Sequence, residues 1–248
     1  MTIDSRGGHN RHSFNKEFFK VWSDKMAYVL GFLVADGSVT DADASSRTQY
    51  IEFTNTDKKI IEKIRDALQS KHPLQFRKPR VTKYPDGAFH KSSPIFRLRI
   101  GSKELFADIL KLGVIPRKSN VITFPKIPPK HLSHFVRGYF DGDGCIYIEY
   151  RKRGDEEAPK RMRTIFTSGS QQYLEGLREE LSMVTDMGKG NMYYEHRAFR
   201  LVYDTNESRK LFRFMYRGKR DLFLKRKYNI FKSYKISRQR TRKTVKSN

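Results

Sequence analysis

The sequence is short of several things, and each shortage narrows what the chain can be. Of 248 residues only Cys145 is a cysteine, which excludes an internal disulfide and a thiolate metal cluster. No apolar run approaches the ~18 residues that a membrane helix requires, so no membrane role is expected. The opening stretch MTIDSRGGHNRHSF lacks the apolar core of a secretory signal, so secretion is not expected either. Acidic residues are scarce: 27 Asp and Glu stand against 51 Lys and Arg, a net charge of +24 and an isoelectric point near 10.1. Self-repulsion on that scale opposes a compact state and points to a polyanionic partner. Nucleic acid comes first, because phosphates release condensed counterions when Lys and Arg replace them. A solvated basic surface or an anionic membrane is the plainer alternative, but no strongly amphipathic helix supports the membrane. With 37% hydrophobic and 13% aromatic residues, a folded core is expected.

What is present is a repeat. YVLGFLVADGSV (28–39) and FVRGYFDGDGCI (135–146) share Gly, three residues, a small residue, then Asp-Gly. The acids of the Asp-Gly pairs, Asp36 and Asp143, are 107 residues apart. FTNTDKKIIEKIRDAL (53–68) then resembles FTSGSQQYLEGLREEL (166–181). Asp57 and Ser170 are read as N-caps; Ile61, Ile64 and Leu68, like Leu174, Leu177 and Leu181, form one apolar helical face. FRLRI (96–100) and FRLVY (199–203) alternate with period two, as strands with one buried face. Helices follow from Ser102 and Thr205, and each half closes on a basic element, PRKS (116–119) or KRKY (225–228).

The reading is therefore an α+β chain of two pseudo-symmetric halves, each helix, two strands, helix, two strands, helix. The expected organisation is an N-terminal extension over 1–22 with a packing helix, a first repeat over 23–119, and a linker over 120–133. A second repeat follows over 134–231 and a basic tail over 232–248. Pro116, Pro125, Pro128 and Pro129 cluster at the boundary and suit a semi-rigid tether.

The paired acids carry the chemistry. Gly31 and Ala35, like Gly138 and Gly142, lie four apart on one helical face, where small residues let two backbones approach closely. Helices packed through these faces would bring Asp36 and Asp143 together at their C-terminal ends. An Asp at the negative end of a helix is disfavoured by about 0.3–1 kcal/mol, and a second acid adds repulsion. A divalent cation removes both penalties, and Mg²⁺ takes few protein oxygens plus water and phosphate. Asp-Gly alone is an ordinary turn signal; two copies in matching surroundings favour function. Gly37 and Gly144 are read as left-handed exits from the helices. Asp141, whose counterpart is Val34, lacks symmetry and is read as structural.

These residues resemble the LAGLIDADG homing endonuclease family in its single-chain form with two motifs, over roughly 24–231. The resemblance implies two αββαββα repeats, each with a curved antiparallel sheet, packed through the two motif helices. It implies Asp36 and Asp143 as metal ligands, with the carbonyls of Ala35 and Gly142 completing part of the shell. Mg²⁺ is the implied cofactor, and Mn²⁺ or Ca²⁺ would fit the same site. Lys118 and Lys227 match the family's one basic residue per half that orders water at the scissile phosphates, and a plain phosphate contact is their alternative. A polar pair after the second strand maps onto Asn55 and Lys59, taken as nucleic-acid contacts, and onto Ser168 and Gln172. The implied activity is a metal-dependent double-strand break in a long, asymmetric DNA target.

DNA would be read from sheets lying in the major groove, where Arg binds guanine bidentately. Candidate readers are Arg77, Arg80, Arg97 and Arg99 in the first half and Arg151, Arg161, Arg163 and Arg200 in the second. For each, a phosphate contact is the alternative. The expected state is a monomer, in cytoplasm (nucleoid) or organelle matrix. The competing functions are an RNA maturase for a group I intron and a non-cutting DNA-binding regulator; both acids being present argues for cutting. An intein is disfavoured by Met1 and the absence of a terminal splicing Cys. The letters His9-Asn10-Arg11-His12 imitate an HNH nuclease without the strand-and-helix finger that such a site needs.

Overall fold

The first helix, α1, spans Asp24–Asp36. Ser23, in extended conformation, caps it by accepting the Met26 N–H at 3.1 Å. Every residue from Met26 to Val34 is buried. A helix apolar on all sides has no solvent face, so α1 runs through the core. Its pseudo-symmetric mate, α4 (Pro129–Asp143), opens on a proline, tolerated where a helix's first N–H groups have no intrahelical partner. The computed structural model describes residues 12–41, 49–84, 87–153, 156–218 and 222–234.

After α1 the chain forms β1 (Gly37–Thr40), β2 (Tyr50–Asn55), α2 (Lys58–Ala67) and β3 (Gln75–Arg77). A ribbon, β4 (Val81–Lys83) and β5 (Phe89–Lys91), precedes β6 (Ile95–Gly101) and α3 (Lys103–Lys111). A 3₁₀ turn at Lys118–Asn120 leads to α4. The second half continues with β7 (Gly144–Arg153), β8 (Glu156–Ser168), α5 (Gln171–Val184), β9 (Asn191–Glu195), β10 (Ala198–Tyr203) and α6 (Thr205–Tyr216). A last helix, α7, covers 225–234. Asp57, Ser102 and Ser170 each cap a helix through a side-chain oxygen, as their spacing predicts.

Two four-stranded antiparallel sheets result, ordered β1-β2-β6-β3 and β7-β8-β10-β9. The architecture is the two-repeat α+β arrangement read from the sequence. The β4–β5 ribbon is an addition within the first half. Ile51, Phe53, Leu98 and Ile100 bury one face of the first sheet; Phe166, Leu201 and Tyr203 bury that of the second.

Some expectations are corrected. Residues 12–22 make turns, not a helix, although Phe18 and Phe19 are buried; the segment is stopped at once by the Ser23 cap. Residues 1–11 lie outside the described residues, and so do most of the HNH-like letters. α4 begins inside the stretch expected as a tether, because a proline can open a helix as readily as it can stiffen a linker. The first three residues of the expected tail, 232–234, end α7 with Tyr234 buried; 235–248 lie outside the described residues. Gly37 and Gly144 are extended, at φ −98° and −79°, so no left-handed exit exists. They are glycines for want of space: a Cβ on Gly37 would meet Leu33 O at 2.7 Å, and one on Gly144 would meet Phe140 O at 2.5 Å.

Candidate active site

α1 and α4 touch backbone to backbone. A Cβ on Gly31 would fall 2.1 Å from Phe135 O, and one on Gly138 would fall 2.0 Å from Tyr28 O. These clashes are mirror images under the 107-residue offset, so the helices cross on a pseudo-two-fold axis. One turn further on, a Cβ on Gly142 would meet Ala35 Cβ at 2.4 Å and Asp36 N at 3.2 Å. The two C-terminal ends therefore emerge side by side with Asp36 and Asp143 upon them. The opposite end is closed by Asp24 of α1, which meets His131 at 2.9 Å and His134 at 3.4 Å on α4.

The structure brings together Asp36, Asp143, Lys118 and Lys227. Desolvation by burial raises the Asp36 pKa, opposed by the Asn55 hydrogen bond and the charges of Lys227, Arg226 and Lys118. Asp143 keeps an exposed edge, but desolvation on its other sides, then the charge of Asp36, push its pKa up to about 6. Both lysines are buried. Burial lowers the Lys118 pKa against the pull of both acids, and lowers that of Lys227 to about 8.

The lysines are held differently. Lys227 Nζ donates to the carbonyls of Phe140 (2.6 Å), Asp141 (2.8 Å), Gly142 (3.1 Å) and Gly144 (2.5 Å). Three ammonium protons are thus shared among four acceptors, at the negative end of α4 where a cation is favoured. Among the described residues Lys118 Nζ donates only to Gly37 O, at 2.7 Å, which leaves it two protons. The Gly142 carbonyl, assigned to a metal by resemblance, here accepts from Lys227.

Asn55 is not an open DNA contact. Its amide donates to Asp36 Oδ2 at 2.8 Å, and its oxygen accepts the Asp57 N–H at 3.0 Å. It positions Asp36, whose backbone carbonyl also accepts from Thr54 at 3.1 Å. The second half has no such amide: Ser168 stands there and accepts the Ser170 N–H. Among the described residues, no hydrogen bond reaches the Asp143 carboxylate.

Residues 23–112 match a family described as the LAGLIDADG-like domain. Most of the chain superposes on solved homing endonucleases. One is the homing endonuclease I-WcaI bound to its DNA recognition sequence, at TM-score 0.55 and 13% identity over 86% of this chain and 91% of that one. A second is the meganuclease I-AabMI bound to uncleaved DNA, at 0.53 and 12% over 88% and 91%. A third is the homing endonuclease I-LtrWI bound to target DNA, at 0.52 and 12% over 90% and 90%. The chain has the single-chain LAGLIDADG fold. No curated protein sequence matches it.

Within this LAGLIDADG frame, Asp141, read from the sequence as structural, takes a structural place. It is fully buried in α4, and burial pushes its pKa up to about 6. Its Oδ2 accepts from Tyr28 of α1 and from the Leu224 N–H, each at 2.7 Å. Leu224 precedes α7, which carries Lys227, so Asp141 joins both motif helices to that lysine's support. The symmetry-related positions, Val34 and Phe135, are apolar. Asp141→Ala strands two buried donors and is expected to lower stability by about 2–5 kcal/mol. Asp141→Asn keeps one oxygen for both and is expected to change it by less than about 1 kcal/mol. Urea midpoints at unchanged slope check this; equal losses would show that Asp141 does not anchor α7.

The remaining predicted residues lie on the strands and loops outside the acid pair. Arg77 (β3), Arg80 (in the loop after it), Arg151 (β7) and Arg161 (β8) are exposed. Arg97 and Arg99 share the open face of β6. Arg163 pairs with Asp204 at 3.2 Å, and Arg200 with Glu195 at 2.8 Å. Lys59 and Gln172 are exposed in the first turns of α2 and α5. Sequence reasoning missed Arg226, whose charge acts on Asp36, and Glu52. The signal for Glu52 was present: it is an acid on the polar side of β2, in a basic chain.

Proposed function

We propose that the chain is a site-specific endonuclease that makes a metal-dependent double-strand break in a long, asymmetric DNA target. The observation that carries this is the carboxylate pair. Two acids from two helices are crowded together on a pseudo-two-fold axis, between two sheets whose open faces carry arginines. One such pair at a centre of symmetry suits two phosphodiesters related by the symmetry of the duplex.

The residues fit a divalent cation. The donors are hard oxygens, raised in pKa by desolvation and, at Asp143, by the charge of Asp36. No group of three or more His, Cys, Asp or Glu that could hold a metal ion exists among the described residues, so the protein supplies few ligands. That favours Mg²⁺, which keeps water and accepts phosphate, with Mn²⁺ or Ca²⁺ able to take the same oxygens. Asp36 and Asp143 would hold it. When bound, the cation lowers the pKa of water and offsets charge on the phosphate. Asn55 fixes the orientation of Asp36. Lys118 has protons to offer the phosphate, while Lys227 acts on the acid pair through its charge.

The solved LAGLIDADG relatives named above are bound to DNA, which supports duplex DNA as the partner. The +24 charge predicts steep salt dependence: with about 6–10 phosphate contacts, affinity falls about 10³–10⁵-fold between 50 and 200 mM salt. Fluorescence anisotropy on labelled duplex checks this, and a flat profile would remove the phosphate-contact basis of the reading. The function itself is tested by incubating the protein and Mg²⁺ with a plasmid library of randomised or host-locus inserts. Cutting at one long site is the expected result. Tight, site-selective binding without cutting would overturn the nuclease reading and favour a non-cutting regulator or an RNA maturase.

A further inference from the structure

The open face of the first sheet holds a row of three directly paired residues, Ser38, Glu52 and Arg99. The same row in the second sheet is Cys145, Ile165 and Val202. The two rows are equivalent by position: the offsets, 107, 113 and 103, are those of the surrounding elements. One row is polar and charged. The other is apolar, with Cys145 exposed and Ile165 and Val202 half-buried.

Glu52 holds two arginines. Arg99 Nε donates to Glu52 Oε2 at 2.7 Å, and the Arg99 guanidinium lies 4.3 Å from the centre of the Tyr50 ring. Arg97 Nη1 approaches the same oxygen at 3.5 Å, while its Nε donates to Gln75 Oε1 at 2.8 Å. The Glu52 side chain is only 13% exposed, whereas those of Arg97 and Arg99 are 39% and 36% exposed. The acid is withdrawn and the arginines are presented. With its Nε edge occupied and one face stacked, Arg99 has no further partner among the described residues for its two terminal nitrogens. Two parallel N–H groups are what bidentate contact with guanine O6 and N7 requires, whereas an apolar surface selects the thymine methyl.

Resting on the DNA-endonuclease reading, we propose that this row sets target asymmetry, with Glu52 as the specificity-determining residue that orients Arg99 toward a guanine. The symmetry-related position of the other half-site is a thymine, read by Ile165 and Val202. A plainer role for Glu52 would be to neutralise neighbouring arginines. That role predicts no base preference, so the two separate by experiment.

Binding selection from a duplex library randomised across the site, without metal so that cutting plays no part, is performed on the full chain. The intact protein is expected to enrich guanine at one position and thymine at its symmetry mate. Glu52→Gln is expected to cut the guanine preference by about 5- to 150-fold, the range a bidentate pair distinguishes, while affinity for unselected DNA stays level or rises. The double variant Ile165→Glu with Val202→Arg is expected to replace the thymine preference with guanine, a gain that misfolding does not produce. An enriched site whose guanine preference survives Glu52→Gln would overturn this proposal alone. Failure to enrich any sequence would overturn site-specific binding, and this proposal with it.

Discussion

Asp36→Asn and Asp143→Asn are each expected to reduce double-strand cutting by at least about 10²–10³-fold, the scale of losing one preorganised electrostatic group at a reacting centre. Each substitution keeps the size of the side chain and removes one of the two charges that would hold the cation. Stability does not fall with it. The folded-state pKa of Asp143 is about 6, above its ordinary 3.8, so the folded protein holds the proton more tightly than the unfolded chain. The ionised group therefore works against folding, and its contribution declines as pH rises between those values. At neutral pH the Asn variant is expected to be as stable as the intact protein or slightly more so. DNA affinity is expected to be kept or raised, since a negative charge leaves the vicinity of the phosphates. Gel assays of nicked and linear plasmid, with binding measured on the same preparations, give the answer. Cutting retained by either variant would remove that carboxylate from the mechanism.

Gly31→Ala and Gly138→Ala are expected to be the most damaging single substitutions for the fold, at about 3 kcal/mol or more, the upper end of overpacking losses. The added Cβ would lie about 2 Å from a carbonyl oxygen of the facing helix, Phe135 O or Tyr28 O. No rotamer change relieves that clash, because both partners are backbone. The helices must separate, and the surrounding core, from Met26 to Val34 and from Phe135 to Phe140, must follow. Even a variant that folds would hold Asp36 and Asp143 too far apart and would lose cutting. Thermal unfolding checks the stability claim, and a melting temperature within a few degrees of the intact protein would refute the close crossing.

Much of this was legible in the sequence for local reasons. Caps at Asp57, Ser102 and Ser170 depend on a side-chain oxygen and the N–H groups just beyond it. The alternation in β6 and β10 depends on the pleat. The small-residue faces of α1 and α4 follow from helical spacing, and their repetition placed Asp36 beside Asp143. Errors arose where one residue type serves two purposes. Pro129 opens a helix where a linker was expected, and Gly37 and Gly144 provide space where a left-handed turn was expected. Asn55 was matched to DNA contact by position, and the packing of β2 against the end of α1 turns it onto Asp36.

The sequence by itself determined the two-fold repeat, the α+β elements, the paired acids and the excess of positive charge, because periodicity and capping are properties of neighbours along the chain and net charge is a sum over it. Only the tertiary structure decided that Lys227 grips four carbonyls, that Asp141 ties α7 to both motif helices, and that Glu52 stands between Arg97 and Arg99. Those contacts join residues tens of positions apart, and only packing chooses which of several polar groups meet.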